Sequence, residues 1–435
     1  MSKAPTPRVL CITFFMAAAM IFSAGSGLKG TAWAGSESEM LRQQMEVMKK
    51  QMGQLQKAME VMQNRIEELE TQPSREAKAP SEAEKPSVWT KYNMKLYGKV
   101  KMEVNYDTGE LTNADSAFMV KAGSDTSNSS ANFNPRDTRF GFEASKAFND
   151  DWMGKGRFEV DFYGQNNGGN LIPRMRLGYV DIVSPGGTSF LAGQDWVPVA
   201  QLNPAIMDFA IAGSAGNLWQ RRPQLTVRHT SGNFEFLGSA MKPNRLNTNE
   251  EDRMPWLLAR IAYQNGKLPK GSYLALGGGY RHAKYGQSST AADTRWLVAA
   301  EAKFKVQSFQ VQGELWSGKG IDSNFLRSSL DTTLTGEAAA AYGGWMDVTY
   351  FITPEVSLTA GYGLDNPDDD DIGSVAAYTG DQNLRFTRNE QYYLNSWYSM
   401  TENLKLGLEF IHVATERNAT VNDANRYTFA TQFMF

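Results

Sequence analysis

The chain has 435 residues, 41% of them hydrophobic and 21% charged, with a formal net charge of -3 and a mean hydropathy of -0.44. This balance excludes a helical membrane protein, because beyond the N-terminus no apolar run is long enough for a helix to cross a bilayer. An acidic chain without a basic domain also argues against nucleic-acid binding, so no nucleic-acid partner is expected.

Residues 1–34 read as a signal peptide. Lys3 and Arg8 flank an apolar run over 9–22, and Ala32-Trp33-Ala34 offers a small-x-small cleavage site. Removing the segment takes away three cations and no acid, so the net charge moves from -3 to -6. The only cysteine, Cys11, leaves with it, and the mature chain is expected to have no disulfide and no thiol chemistry. Residues 35–72 are predicted to form a periplasmic coiled coil. Leu41, Met45, Met48, Met52, Leu55, Met59, Met62, Ile66 and Leu69 alternate in steps of four and three, which gives a narrow apolar seam. A lone amphipathic helix lying on a membrane is the alternative, but its apolar face would be wider. The flexible methionine seam does not fix an oligomer number. Residues 73–91, rich in Pro, Glu and Ala, read as an extended linker.

From residue 92 the periodicity changes to two. Lys95, Tyr97, Lys99, Lys101 and Glu103 alternate with Leu96, Gly98, Val100, Met102 and Val104. Sixteen such segments are predicted, the first over 94–106 and the last over 424–435. Seven short turns, among them 149–150, 184–187, 307–308 and 401–402, interleave with eight longer connections. Those are near 107–136, 164–171, 197–222, 243–253, 284–293, 318–340, 366–385 and 416–423. This one-sided alternation predicts an all-β transmembrane barrel of 16 antiparallel strands over 92–435, preceded by the α-helical coiled coil. It also predicts the outer membrane of a Gram-negative bacterium, with the coil and the C-terminus on the periplasmic, short-turn side.

The final segment carries the lipid signature most clearly. Tyr427, Phe429, Thr431, Phe433 and Phe435 fall on one face, and Arg426, Thr428, Ala430, Gln432 and Met434 on the other. The aromatic face is expected to meet outer-membrane lipid. A terminal aromatic, Phe435, also resembles the signal read by the outer-membrane assembly machinery.

The polar faces should line a lumen. Its expected cations include Lys99, Lys101, Arg139, Arg157, Lys303, Arg174, Arg176 and Arg228, and its acids include Glu103, Glu143, Glu159, Asp161, Glu235, Glu301 and Glu314. Rings of Arg and Lys in a pore select anions, although many of these ions can pair across strands. The connection 197–222, VPVAQLNPAIMDFAIAGSAGNLWQRR, is too apolar for a solvated loop and is predicted to fold inward as a constriction. Arg174, Arg176, Arg221, Arg222 and Arg228 are expected to form a basic patch there, opposite Asp195 or Asp208. Guanidinium groups stay charged and grip carboxylates two-pronged. The alternative is that Arg221 or Arg222 pins the loop to the wall through an acid.

GQDW (193–196), Pro204, Asp208-Phe209, Gly216 and RRPQL (221–225), with LYGKVKMEVNYD (96–107), TRFGFEA (138–144) and RMRLGYVDI (174–182), resemble the DcaP-like trimeric porins. The resemblance covers most of 92–435. It implies a homotrimer that passes small anionic solutes, often dicarboxylates, and an N-terminal periplasmic coiled coil. The function expected is therefore an outer-membrane porin for passive diffusion of small hydrophilic solutes with a preference for anions. The alternatives are a phosphate-type anion-selective porin, or a structural tether whose coil contacts the cell wall and whose barrel is plugged. No Ser–His pair announces a hydrolase and His229, His282 and His412 lack metal-ligand spacing, so no enzyme, cofactor or metal site is expected. DNPDDDD (365–371) lacks the ligand spacing of a calcium loop. Gly277-Gly278-Gly279 is expected to relieve crowding where the barrel bends.

Overall fold

A computed structural model describes Lys57 and residues 92–435, apart from 150, 165–170, 245–249, 252–253, 265, 286–291, 327–332, 334–336, 374–382 and 384. The chain divides after Ser87, and the unit Val88–Phe435 is the one considered below. The signal peptide, coiled coil and linker expected over 1–34, 35–72 and 73–91 lie outside the described residues, Lys57 excepted.

Eighteen strand segments follow one another: β1 (Asn93–Asp107), β2 (Ser130–Asn134), β3 (Arg139–Phe148), β4 (Trp152–Asp161), β5 (Arg174–Val183), β6 (Thr188–Trp196), β7 (Arg221–Ser231), β8 (Phe234–Met241) and β9 (Glu250–Glu251) form the first half. The second half is β10 (Trp256–Gln264), β11 (Tyr273–Tyr285), β12 (Ala292–Val306), β13 (Phe309–Lys319), β14 (Ala340–Phe351), β15 (Val356–Pro367), β16 (Arg388–Ser399), β17 (Leu404–Arg417) and β18 (Thr420–Met434). Among the described residues, a 3-10 turn (Thr126–Asn128) and two short α-helical turns, α1 (Asp322–Phe325) and α2 (Asp369–Ile372), sit in connections. β2 and β3 both pair with β1 and make one stave, interrupted at 135–138. β9 and β10 both pair with β11 and make another. Eighteen segments therefore build sixteen staves. Every neighbouring pair is antiparallel, and β1 pairs with β18, so the sheet closes with no free edge. The C-terminal residue completes the seam: Gly98 N–H donates to the Phe435 carbonyl at 3.0 Å, and Phe435 N–H donates to the Gly98 carbonyl at 3.2 Å.

The outward face is apolar because alternation sends every second residue there. On β18, Tyr427, Phe433 and Phe435 are 38%, 48% and 41% exposed, while Arg426 and Thr428 opposite them are buried. Aromatic girdles band both ends. Tyr106, Tyr427, Phe410, Tyr392 and Tyr362 cluster toward the long-loop end. Phe234, Tyr263, Phe309, Tyr350, Phe433 and Phe435 lie toward the short turns.

One connection differs from expectation. The stretch 416–423 is not a longer loop. β17 runs to Arg417 and β18 starts at Thr420, leaving the two-residue turn Asn418-Ala419 with φ of 51° and 66°. Hairpins of this type favour Asn-Gly because both residues take positive φ. Here alanine occupies the second place, so the sequence hides the turn.

Candidate functional site

The connection after β6, residues 197–220, lies inside the barrel and runs along the wall of β12 to β18 and β1. A backbone taken into a barrel must find partners for its N–H and C=O groups. Polar side chains on the inner wall supply them. Glu301 on β12 accepts the N–H groups of Gln201 and Leu202, both at 2.9 Å. Asp347 on β14 accepts Ala205 at 2.7 Å. Glu409 on β17 accepts Met207 and Asp208 at 2.6 and 2.8 Å. Glu314 on β13 accepts Leu218 at 3.1 Å. The carbonyls are met by donors from the same wall: Gln312 to Asn203, Asn395 to Ala205, Lys101 to Met207, Asn389 to Ser214 and Trp316 to Gly216. A hydrogen bond of this kind contributes about 0.5–1.5 kcal/mol net, and these four acids together accept six of them.

Close approach needs glycine at specific places. Gly216 has φ +94°, and a Cβ there would lie 2.1 Å from the Gly344 carbonyl of β14. A Cβ on Gly277 would lie 2.3 Å from the Val199 carbonyl. Gly277, the first of the glycine run in β11, therefore makes room for the inward loop, while a Cβ on Gly278 or Gly279 would meet Leu297 or Leu258 of the neighbouring strands.

A second connection also turns inward, which the sequence did not disclose. Residues 108–129, between β1 and β2, bury Leu111, Ala117, Phe118, Met119 and Val120. Gln391 and Asn389 donate to the carbonyls of Ala117 and Phe118, and the Val120 N–H donates to Thr415. Phe118, Met119, Phe209, Trp219, Ala339, Ile372 and Phe386 then form one apolar cluster inside the barrel, drawn from four connections. The signal available was Ala117 to Val120, four apolar residues in an otherwise polar stretch. The acidic run near 365–371 is structural: Asp368 caps α2, and Asp371 accepts the Ala340 N–H.

The opposite wall, β3 to β7, carries the arginines. Arg174 grips Asp161 two-pronged at 3.0 and 2.8 Å and lies over the rings of Tyr163 and Phe209. Tyr163 and Phe209 themselves stack with centroids 3.7 Å apart. Arg176 is buried between Glu159 at 2.6 Å and Asp161 at 2.9 Å, with its guanidinium 5.6 Å from the Trp196 ring centroid. Arg221 shares that ring at 4.7 Å and lies 5.6 Å from the Trp219 ring. Among the described residues no carboxylate pairs with Arg221, and its buried Nη1 has no hydrogen-bond partner. Stacking on indole holds a guanidinium in place without cancelling its charge.

The structure brings Arg174, Arg176 and Arg221 together and puts the other two arginines elsewhere. Arg222 faces Asp195 in the β6–β7 register but reaches the connection after β13, donating to the Ser323 carbonyl at 2.5 Å and to Asn244 at 3.1 Å. Through that carbonyl it ties the connection after β13 to the start of β7. Arg228 lies near the short-turn end, 3.6 Å from Glu235. Asp208 faces away from the patch and binds Arg426 at 2.7 Å. Asp195 has no ion pair among the described residues and lines a lower cavity with Arg228.

Most other lumen cations have an acid nearby. Lys99, Lys101 and Arg139 converge on Asp137 at 2.6, 3.1 and 2.7 Å, and Lys101 also meets Glu103 at 2.6 Å. Arg157 donates to Tyr97 at 2.7 Å, with Glu159 3.9 Å away. Lys303 faces Tyr273 and Gln312 in the strand register. Asp137 is the hub that sequence reasoning missed, because it stands in a break between strands where alternation says nothing.

Two cavities flank the patch. One of about 240 Å³ is lined by Asp195, Trp196, Gln201, Gln224, Thr226 and Arg228 among others. One of about 420 Å³ on the long-loop side is lined by Asp115, Arg136, Tyr163, Arg174 and Phe209. Trp196 lines the first and Arg174 the second.

No family model matches the sequence, and no curated protein sequence matches it. The fold has clear likenesses among solved structures. The chain is similar to the outer membrane channel DcaP of Acinetobacter baumannii, with a TM-score of 0.67 and 21% identity over 79% of this chain and 97% of that one. It is similar to the anion-selective porin from Comamonas acidovorans, with a TM-score of 0.55 and 12% identity over 79% and 98%. OmpF of Salmonella typhi gives a TM-score of 0.55 and 12% identity over 79% and 98%. The barrel therefore has the porin fold and is DcaP-like in shape.

Proposed function

We propose that this protein is an outer-membrane porin through which small hydrophilic solutes diffuse passively, with a preference for anions such as dicarboxylates. The observation that carries the preference is Arg221, whose buried Nη1 has no hydrogen-bond partner and which has no acid partner among the described residues, sharing the Trp196 ring with Arg176. An anion entering from the long-loop side meets Arg174, whose charge is shared with Asp161, and then the uncancelled charge of Arg221. A diacid has one carboxylate for each. Contacts of this moderate kind suit a pore, since a solute held too tightly would not leave. The porin fold, shared with an anion-selective porin from Comamonas acidovorans, supports this reading. A homotrimer is proposed on the same footing, from the DcaP-like sequence stretches and a neighbour described in a trimer form.

The test is a planar-bilayer recording in a salt gradient. Stepwise conductance with a reversal potential on the anion side is expected, and Arg221→Gln should move that potential toward zero. Ideal cation selectivity in the wild type would overturn the preference. A second reading rests on the apolar cluster formed by four connections inside the barrel. It makes the barrel a plugged structural element, and a folded, heat-modifiable oligomer that never conducts would favour it.

A further inference from the structure

Arg426 is a fully buried cation at the place where the barrel closes. Its Nε and Nη2 donate to the two carboxylate oxygens of Asp107, both at 2.7 Å. Asp107 and Arg426 face each other across the β1–β18 seam. The guanidinium has donors left over. Nη1 donates to Asp208 Oδ2 on the connection 197–220 at 2.7 Å, and Nη2 also donates to the Ala114 carbonyl on the connection 108–129 at 2.7 Å. Asp208 works in both directions too. Its Oδ1 accepts the Ala117 N–H of the other connection at 3.1 Å and the Ala210 N–H of its own at 2.7 Å. One guanidinium and one carboxylate thus touch the closing seam and both inward loops.

We infer that Asp208 and Arg426 are a positioning pair that seats the two inward loops as one body on the closing seam. The width left beside the arginine wall is then fixed when β18 docks on β1, not before. The chemistry requires this order. Before β18 arrives, Asp208 and Asp107 are two carboxylates that would face each other without a cation, and like charges in a low-dielectric site repel. The arriving guanidinium satisfies both at once and draws in the Ala114 carbonyl. Asn389 reinforces the union from the wall by donating to Phe118 and Ser214 carbonyls, one on each loop. Gln391, by contrast, holds only 108–129. The pair stands on geometry alone; its effect on conductance rests on the channel function proposed above.

The experiment is hydrogen exchange by mass spectrometry on the full chain in detergent, paired with single-channel recording. Asp208→Ala should speed exchange in both 112–120 and 205–216, by about ten-fold or more as the loops open locally, and should raise the mean conductance. Gln391→Ala should speed exchange in 112–120 alone. Faster exchange confined to 205–216 in Asp208→Ala would overturn the inference, as would no change in either loop. If Asp208→Ala gives no heat-modifiable barrel, Asp208→Asn keeps the shape, removes the charge and is read the same way. Coupled exchange in a protein that never conducts, in wild type or variant, would leave the pair standing and remove the channel function.

Discussion

The two walls of the lumen carry similar side chains and use them differently. On β12 to β17, Glu301, Glu314, Asp347 and Glu409 accept backbone N–H groups of the inward loop. On β4 to β7, arginines meet aromatic faces and strand acids, and Arg221 is left without an acid. What separates the walls is what the loop presents to each. Toward β12 to β17 it turns its main chain, which demands acceptors and donors. Toward β4 to β7 it turns Phe209 and Trp219, which stack on cations and leave their charge intact. The preference for anions proposed above rests on this second wall.

The sharpest way to break this contrast is to remove an anchor. Glu409→Ala strands two buried backbone N–H groups, at about 1–3 kcal/mol each. A lower unfolding temperature in the heat-modifiability assay and a larger conductance are expected; unchanged conductance would mean that the loop is held by packing alone. Gly216→Ala attacks the same contact by crowding. The new methyl would press on the Gly344 carbonyl from a backbone position with φ +94°, at a cost of about 1–3 kcal/mol. The unfolding temperature should fall again, with anion preference retained wherever the pore still forms. Arg221→Gln sharpens the other side. Losing one charge near the path should cut the anion-to-cation permeability ratio about five-fold at low salt, and less at high salt. Stability should hold, since no acid loses a partner. Arg176→Gln is the control: it leaves Glu159 and Asp161 short of a cation and should destabilise by about 3–5 kcal/mol. The smallest effect is expected at Asp195→Asn, which removes an unpaired acid from the lower cavity and should raise anion preference by about two-fold or less.

The sequence shows the barrel plainly where side chains alternate against lipid, because a one-residue slip would turn a strand inside out. Segment β6 is read to the residue, at 188–196. The last hairpin is not, since Asn418-Ala419 lacks the glycine that announces such a turn. The apolar connection 197–220 stands out by composition. The connection 108–129 does not, because only four adjacent residues betray its burial. Of the five arginines grouped by spacing along the chain, Arg176 and Arg221 share the Trp196 ring and Arg174 shares Asp161 with Arg176, while Arg222 and Arg228 serve other contacts. Asp137 and Arg426, which organise much of the charge, lay in a strand break and on a strand face with nothing to single them out.

Local pattern by itself determined the strands, their inward and outward faces, and the one-sided long connections, for these follow from period-two alternation between lipid and lumen. Tertiary structure alone decided which charges are occupied. A carboxylate on an inner face looks the same in sequence whether it pairs with an arginine, as Glu159 does, or holds a loop's amides, as Glu409 does. The choice depends on the path of a loop whose contacts lie 96 to 218 residues away along the chain. That distance is why the free charge of Arg221, the feature on which selectivity is proposed to rest, could be found only in the folded barrel.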